Sequence, residues 1–146
     1  MDKLSSSFAA TSTSSPSSWI PPSLLGKWLL FVSSLAILNC VQNYIDYQFS
    51  RKVYTSGGAS VTPLSARTFG TWNLLSAVVR FYAAYNLHSK PIYEACMWTY
   101  VIALGHFGSE VLAFKTAKFT AGIISPLIVA STSLATMALQ YRHYIR

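Results

Sequence analysis

Seven polar residues fall within or at the edge of the long apolar runs of this chain: Asn43, Asp46, Arg67, Asn73, Arg80, His106 and Glu110. His106 and Glu110 stand four residues apart, so on a helix they share one face. Cys96, Thr99 and Ala103 continue that face, while Met97, Val101, Leu104 and Val111 line another. A His/Glu pair could shuttle a proton inside a membrane. The simpler reading, a hydrogen-bonded pair between helices, demands less of the rest of the chain. Arg80 has two readings as well: it packs on a helix seam, or its head snorkels to the lipid headgroups.

The elements that carry these residues read as transmembrane helices. Charged residues make up 10% of the chain and hydrophobic residues 52%, against about a quarter charged in an average soluble domain. A soluble fold of 146 residues has too much surface to cover with so few charges. The expected fold is all-α, an integral membrane bundle of four transmembrane helices, with residues 1–22 a disordered Ser/Thr-rich leader and 23–146 the membrane domain. The spans are expected at about 24–46, 64–87, 92–114 and 125–144, each near the ~20 residues that cross a hydrocarbon core.

Spacing within the runs supports this. Val32, Ala36, Asn39, Asn43 and Asp46 form one stripe of the first span. Ala66, Gly70, Asn73, Ala77, Arg80 and Ala84 form a seam of the second, at the alternating four- and three-residue steps that let membrane helices approach closely. Thr62-Pro63 and Ser125-Pro126 each read as a cap followed by proline at the first helical position. Tyr47 to Val61 reads as a loop, and His88 to Pro91 as a tight turn joining an antiparallel hairpin. Ser131, Thr132, Ser133, Ala135 and Ala138 supply small contact surfaces on the fourth span, closed by Tyr141, Arg142, Tyr144 and Arg146 at the interface.

The net charge of +7 does not imply nucleic acid, because the basic residues are scattered between apolar runs rather than gathered into a stripe. They also divide five against five between the two expected sides, so orientation is not readable. Cys40 and Cys96 lie at different depths of their spans and read as packing residues, not as a disulfide. The motifs of several enzyme classes are missing. The three histidines are too few for paired metal boxes, no nucleophile elbow or His-Glu-x-x-His occurs, and Gly105-His-Phe-Gly108 reads as a helix-packing pair rather than a dinucleotide loop. No catalytic residue, cofactor or metal is expected.

The stretches Thr62 to Trp72, Arg80 to Tyr85, Met97 to Ala103, Gly105 to Glu110 and Ser125 to Ala130 resemble the ergosterol biosynthetic protein 28 family. The resemblance runs from about Lys27 to Tyr144. It implies a non-catalytic, multi-pass protein of the endoplasmic reticulum membrane that tethers sterol enzymes. The implied partners are the sterol C-4 methyl oxidase, the C-3 sterol dehydrogenase/decarboxylase and the 3-keto sterol reductase, with sterol C-24 methyltransferase also linked. Membrane lipid and a second copy of the chain are further candidate partners. The reading from another class is a small membrane carrier or sterol/lipid-binding protein that uses His106, Glu110 and Arg80 as its polar site.

Counting along the hairpin from its turn places Asn43, Asp46, Arg67, His106 and Glu110 at similar depth, near the membrane end opposite the termini. A polar cluster locking three helices in register is therefore expected there, since an unpaired charge at that depth costs several kcal/mol. Four spans also place Arg67 and Lys90 on opposite sides of the membrane. Cysteine-accessibility mapping checks this, and finding both on one side would end the four-span topology.

Overall fold

A computed structural model describes residues 19–145; the Ser-rich stretch 1–18 and Arg146 lie outside the described residues. Helix α1 spans Leu24–Ile45, α2 Gln48–Val53, α3 Pro63–Tyr85, α4 Lys90–Leu112, α5 Ala121–Leu139 and α6 Tyr141–Tyr144, with a 3₁₀ turn at Gly58–Ser60. Among the described residues there is no strand. Three of the expected spans match α1, α3 and α4 to within about two residues at each end.

Helix starts follow the local chemistry. Ser23 caps α1, its hydroxyl accepting from the Gly26 amide at 3.0 Å. Thr62 and Ser65 form a reciprocal capping box at the start of α3, with Pro63 as its first residue. That box satisfies two amides that would otherwise be orphaned at the helix end.

Two expectations need correction. The stretch after α1 is not a plain loop: the Asp46 carboxylate accepts from the Gln48 amide at 2.9 Å and the chain turns at once into α2. The last long helix does not start at Ser125-Pro126. It starts at Ala121 after Thr120, whose extended backbone makes it the N-cap, and Pro126 sits inside it. The proline carries no amide hydrogen, so the Gly122 carbonyl loses its helical donor. The Thr120 carbonyl accepts from the amides of Ile123 and Ile124, which begins the helix a turn early.

The four long helices run alternately up and down; the contact of α1 with α3 is by far the most extensive, followed by α4 with α5 and then α3 with α4. The α1–α3 contact is a small-residue seam. The Ser33 hydroxyl donates to the Ala77 carbonyl at 2.7 Å, and a Cβ at Gly70 would lie 3.2 Å from the Cys40 carbonyl. Ala66, Gly70, Ala77, Arg80 and Ala84 are all buried, as the seam pattern requires. Elsewhere the ties are polar and sparse. Trp28 Nε1 donates to Ser133 Oγ at 2.9 Å, joining α1 to α5, and the Tyr93 hydroxyl donates to the Met137 carbonyl at 2.7 Å, joining α4 to α5. Of the five small residues expected to make contacts on the last span, only Ser133 is buried; Ser131, Thr132, Ala135 and Ala138 are not. Cys40 and Cys96 are buried and free.

Large apolar side chains stand exposed on all four long helices, among them Leu38, Leu75, Trp98 and Ile128. This outer surface suits lipid rather than water. Helices α1 and α5 are long and apolar enough to cross a bilayer. Helices α3 and α4, at 23 residues each, are long enough but interrupted by ionisable side chains.

The helical glycines divide sharply. At Gly122 an added Cβ would collide with the backbone carbonyl of Lys52, where α5 meets α2, whereas Gly105 and Gly108 face open space. The expected packing of Gly105 and Gly108 against another helix is thus absent among the described residues. Gly122→Ala should therefore destabilise the protein by on the order of 1–3 kcal/mol through overpacking. Gly105→Ala should be neutral or stabilise by up to about 1 kcal/mol through helix propensity. Thermal melts of both variants in mild detergent check the contrast.

Candidate functional site

Where the start of α3 meets the end of α4, the segment from α2 to the 3₁₀ turn lies against both helices. A groove of about 730 Å³ opens there. Its wall is apolar and aromatic, with Tyr54, Val61, Leu64, Phe69, Trp72 and Ile102. The rings brace one another: Tyr54 meets Phe69 edge-on at 5.5 Å between centroids, Phe69 meets Trp72 at 5.7 Å, and Trp72 meets His106 at 5.2 Å. Edge contacts of this kind hold rings in fixed planes.

The polar end of the groove is His106, Glu110, Tyr54 and Thr116. The Tyr54 hydroxyl lies 2.7 Å from His106 Nε2. On the other side of the ring, Nδ1 is 3.9 Å from Glu110 Oε1, an electrostatic approach rather than a hydrogen bond. The second Glu110 oxygen accepts from the Thr116 hydroxyl. Backbone contacts fix this corner, because the Glu110 carbonyl accepts from the amides of Thr116 and Ala117, and the Thr116 carbonyl accepts from the Ser56 amide at 2.8 Å. Burial, reinforced by the charge of Glu110, pushes the Tyr54 phenol well above its usual value. It therefore keeps its proton, and it donates to His106 Nε2 when the ring hydrogen is on Nδ1.

The structure divides the seven candidate residues. His106 and Glu110 meet, as their spacing predicts. Asn43 is buried, donates to Asn39 and accepts from the Ser50 hydroxyl, and Ser50 itself touches the groove. Asp46 is spent on the Gln48 amide. Arg67 is exposed, and among the described residues it makes no ion pair. The expected five-residue cluster is thus not formed. Equal depth does not mean equal azimuth, and Arg67 points outward from α3 while its neighbour Ala66 points in.

Asn73 donates to the Phe69 carbonyl of its own helix at 2.9 Å. Arg80 does not snorkel. It is 8% exposed, its Nε donates to Thr99 Oγ1 at 3.2 Å, and its guanidinium lies 4.3 Å from the centre of the Tyr100 ring. Arg80 does not line the groove of His106 and Glu110, so these three residues do not make one polar site. Tyr54 and Thr116 are the residues that spacing does not reveal, since both come from irregular segments folded back on the helices.

No group of three potential metal ligands exists among the described residues. With a carboxylate, an imidazole and two hydroxyls, the corner can hold a proton and bind a polar head by hydrogen bonds.

Comparison with known proteins matches residues 25–135 to the Erg28 like protein family. Ergosterol biosynthetic protein 28 of Saccharomyces cerevisiae is 43% identical over 135 residues, covering 92% of this chain and 91% of the relative. The protein of that name in Candida albicans is 49% identical over 121 residues, 83% of this chain and 88% of the relative. The human ergosterol biosynthetic protein 28 homolog is 42% identical over 121 residues, 82% and 86% respectively. No solved structure matches.

The contrast between the arginines and the carboxylate generates one test. Arg80→Ala and Glu110→Ala should each lower the steady-state abundance of the protein several-fold, because each leaves wholly or partly buried partners unmatched. Arg67→Ala should leave abundance unchanged. Quantitative immunoblotting of the three variants, expressed from one promoter, checks this.

Proposed function

The chain belongs to the Erg28-like family of sterol biosynthesis proteins, and from that membership we propose that it is a non-catalytic scaffold of the endoplasmic reticulum membrane. In this reading all four long helices cross the bilayer. The protein tethers the sterol C-4 methyl oxidase, the C-3 sterol dehydrogenase/decarboxylase and the 3-keto sterol reductase, with sterol C-24 methyltransferase as a further partner. Tethering acts through effective concentration: an intermediate released by one enzyme meets the next before it diffuses away along the membrane.

The observation that carries the reading is the outer surface. Every long helix presents large apolar side chains outward, so several faces are available to partner helices at once. On α4 that surface includes Gly105 and Gly108, with nothing within 4 Å of where their Cβ atoms would be, beside the exposed Trp98 and Ile102. A helix face with small residues left open permits close approach of another membrane helix. The carrier alternative drawn from His106, Glu110 and Arg80 as a single site loses support, because Arg80 is engaged with Tyr100 and Thr99 away from the groove.

The test is a mild-detergent pulldown of the tagged chain with partners identified by mass spectrometry, paired with sterol profiling of a deletion strain. The expected result is co-purification of the C-4 enzymes, and in the deletion an accumulation of C-4-methylated intermediates with the enzymes no longer recovered together. Enzymes that still co-purify with one another in the deletion strain would overturn the scaffold.

A further inference from the structure

We propose that the groove between α3 and α4 is a binding site for one sterol carrying a free hydroxyl, with the hydroxyl at the corner of Glu110, His106 and Tyr54 and the ring body along Phe69 and Trp72. The choice of a sterol rests on the family reading above; the groove and its hydrogen-bonding end do not.

Size and wall come first. The groove's volume of about 730 Å³ lies within the roughly 300–1,000 Å³ of small-molecule sites. Its wall is built from rings braced against one another, Tyr54 edge-on to Phe69 and Phe69 tilted against Trp72, so it offers a stiff surface rather than a pliable one. A rigid ring system loses little conformational freedom on binding such a wall, whereas an acyl chain would have to be straightened and held. The groove is open along exposed Leu64, Thr68 and Ile102, on the outer surface of α3 and α4. A lipid can thus enter sideways from the hydrocarbon.

The polar end specifies the head group through its own balance of donors and acceptors. With the Nδ1 hydrogen directed at Glu110, Nε2 of His106 accepts from the Tyr54 hydroxyl. Thr116 gives its hydrogen to Glu110. The hydroxyl hydrogens of Tyr54 and Thr116 are then committed, and the Nδ1 hydrogen faces the Glu110 carboxylate 3.9 Å away. What remains are acceptors: free lone pairs on the two carboxylate oxygens and on the Tyr54 oxygen. A group that brings a hydrogen, such as an alcohol, completes this corner. A ketone brings only a further acceptor and leaves the carboxylate unmatched. The site therefore favours a hydroxysterol over the corresponding ketosteroid.

The experiment uses the full chain reconstituted in nanodiscs and a photoreactive diazirine sterol with a free 3-hydroxyl. Unlabelled hydroxysterol, the matching 3-ketosteroid and the linear oleyl alcohol serve as competitors. Adducts are expected on the groove residues of α3 and α4, with the hydroxysterol competing about tenfold better than the ketone, the worth of one hydrogen bond to a charged group. Thr68→Trp, which fills the groove from its exposed rim, should abolish labelling while the thermal melt is unchanged. Ile102→Trp from the opposite wall serves the same purpose if the first variant melts early. Glu110→Gln supplies a donor at the corner, so the preference for alcohol over ketone should fall towards one. Adducts spread over all outward faces, labelling unaffected by both tryptophans, or equal competition by oleyl alcohol would each overturn the proposal. Failed labelling by a chain that still co-purifies the C-4 enzymes overturns the site alone. Groove labelling by a chain that captures no enzyme overturns the scaffold reading alone.

Discussion

Polar groups that enter this bundle have to be matched inside it, because the outward faces of the helices offer mostly apolar side chains. An unmatched donor or acceptor in such surroundings costs several kcal/mol. The structure meets most of that constraint with few, well-placed bonds, while the buried hydroxyls of Tyr100 and Thr120 are left without one among the described residues. Ser33 reaches across to α3, Trp28 and Tyr93 reach α5, and Arg80 spans from α3 to Thr99 and Tyr100 of α4. The helices are held in register by these ties and in contact by small residues, so the packing tolerates little change along the α1–α3 seam. The groove is where the same constraint is met only by a corner of side chains, with lone pairs left over.

How much of this was legible in the sequence depends on what each feature rests on. Helix periodicity alone places α1, α3 and α4, and identifies the buried stripe through Val32, Ala36 and Asn43. The Thr62 cap is equally local, because every group it uses lies within three residues. Pro126 misleads for a definable reason. Proline is favoured at the first helical turn, but here the helix begins a turn earlier at Thr120, a start that no cap-then-proline pattern marks.

The candidate site shows the same division. His106 and Glu110 are paired by helix geometry and could be found from spacing. Their two other partners could not, since Tyr54 follows α2 and Thr116 follows α4 in irregular backbone, and both return to the corner by folds that no period encodes. Depth counted along a hairpin gave the right level for Arg67 and the wrong direction. Level is set by residue number, whereas direction depends on rotation of the helix about its axis. Arg80 resolved the other way: its place on the small-residue seam was the correct guide, and burial over the Tyr100 ring replaced any reach for the headgroups.

Three of the bonds that tie separate segments together share an asymmetry. Ser33 donates to the carbonyl of Ala77, Tyr93 to that of Met137, and Tyr85 to that of Trp19. In each, the donor is a particular side chain and the acceptor is backbone, which every residue supplies. The joint thus depends on the chemistry of one partner and merely on the position of the other. At these joints a change of side chain at the acceptor position leaves the bond itself intact and is limited by packing alone, whereas the hydroxyl donors are irreplaceable by apolar residues. Since Ser33, Ala77, Tyr93 and Met137 all lie inside the bundle, the outward apolar side chains can change to suit new neighbours while these joints keep one internal geometry.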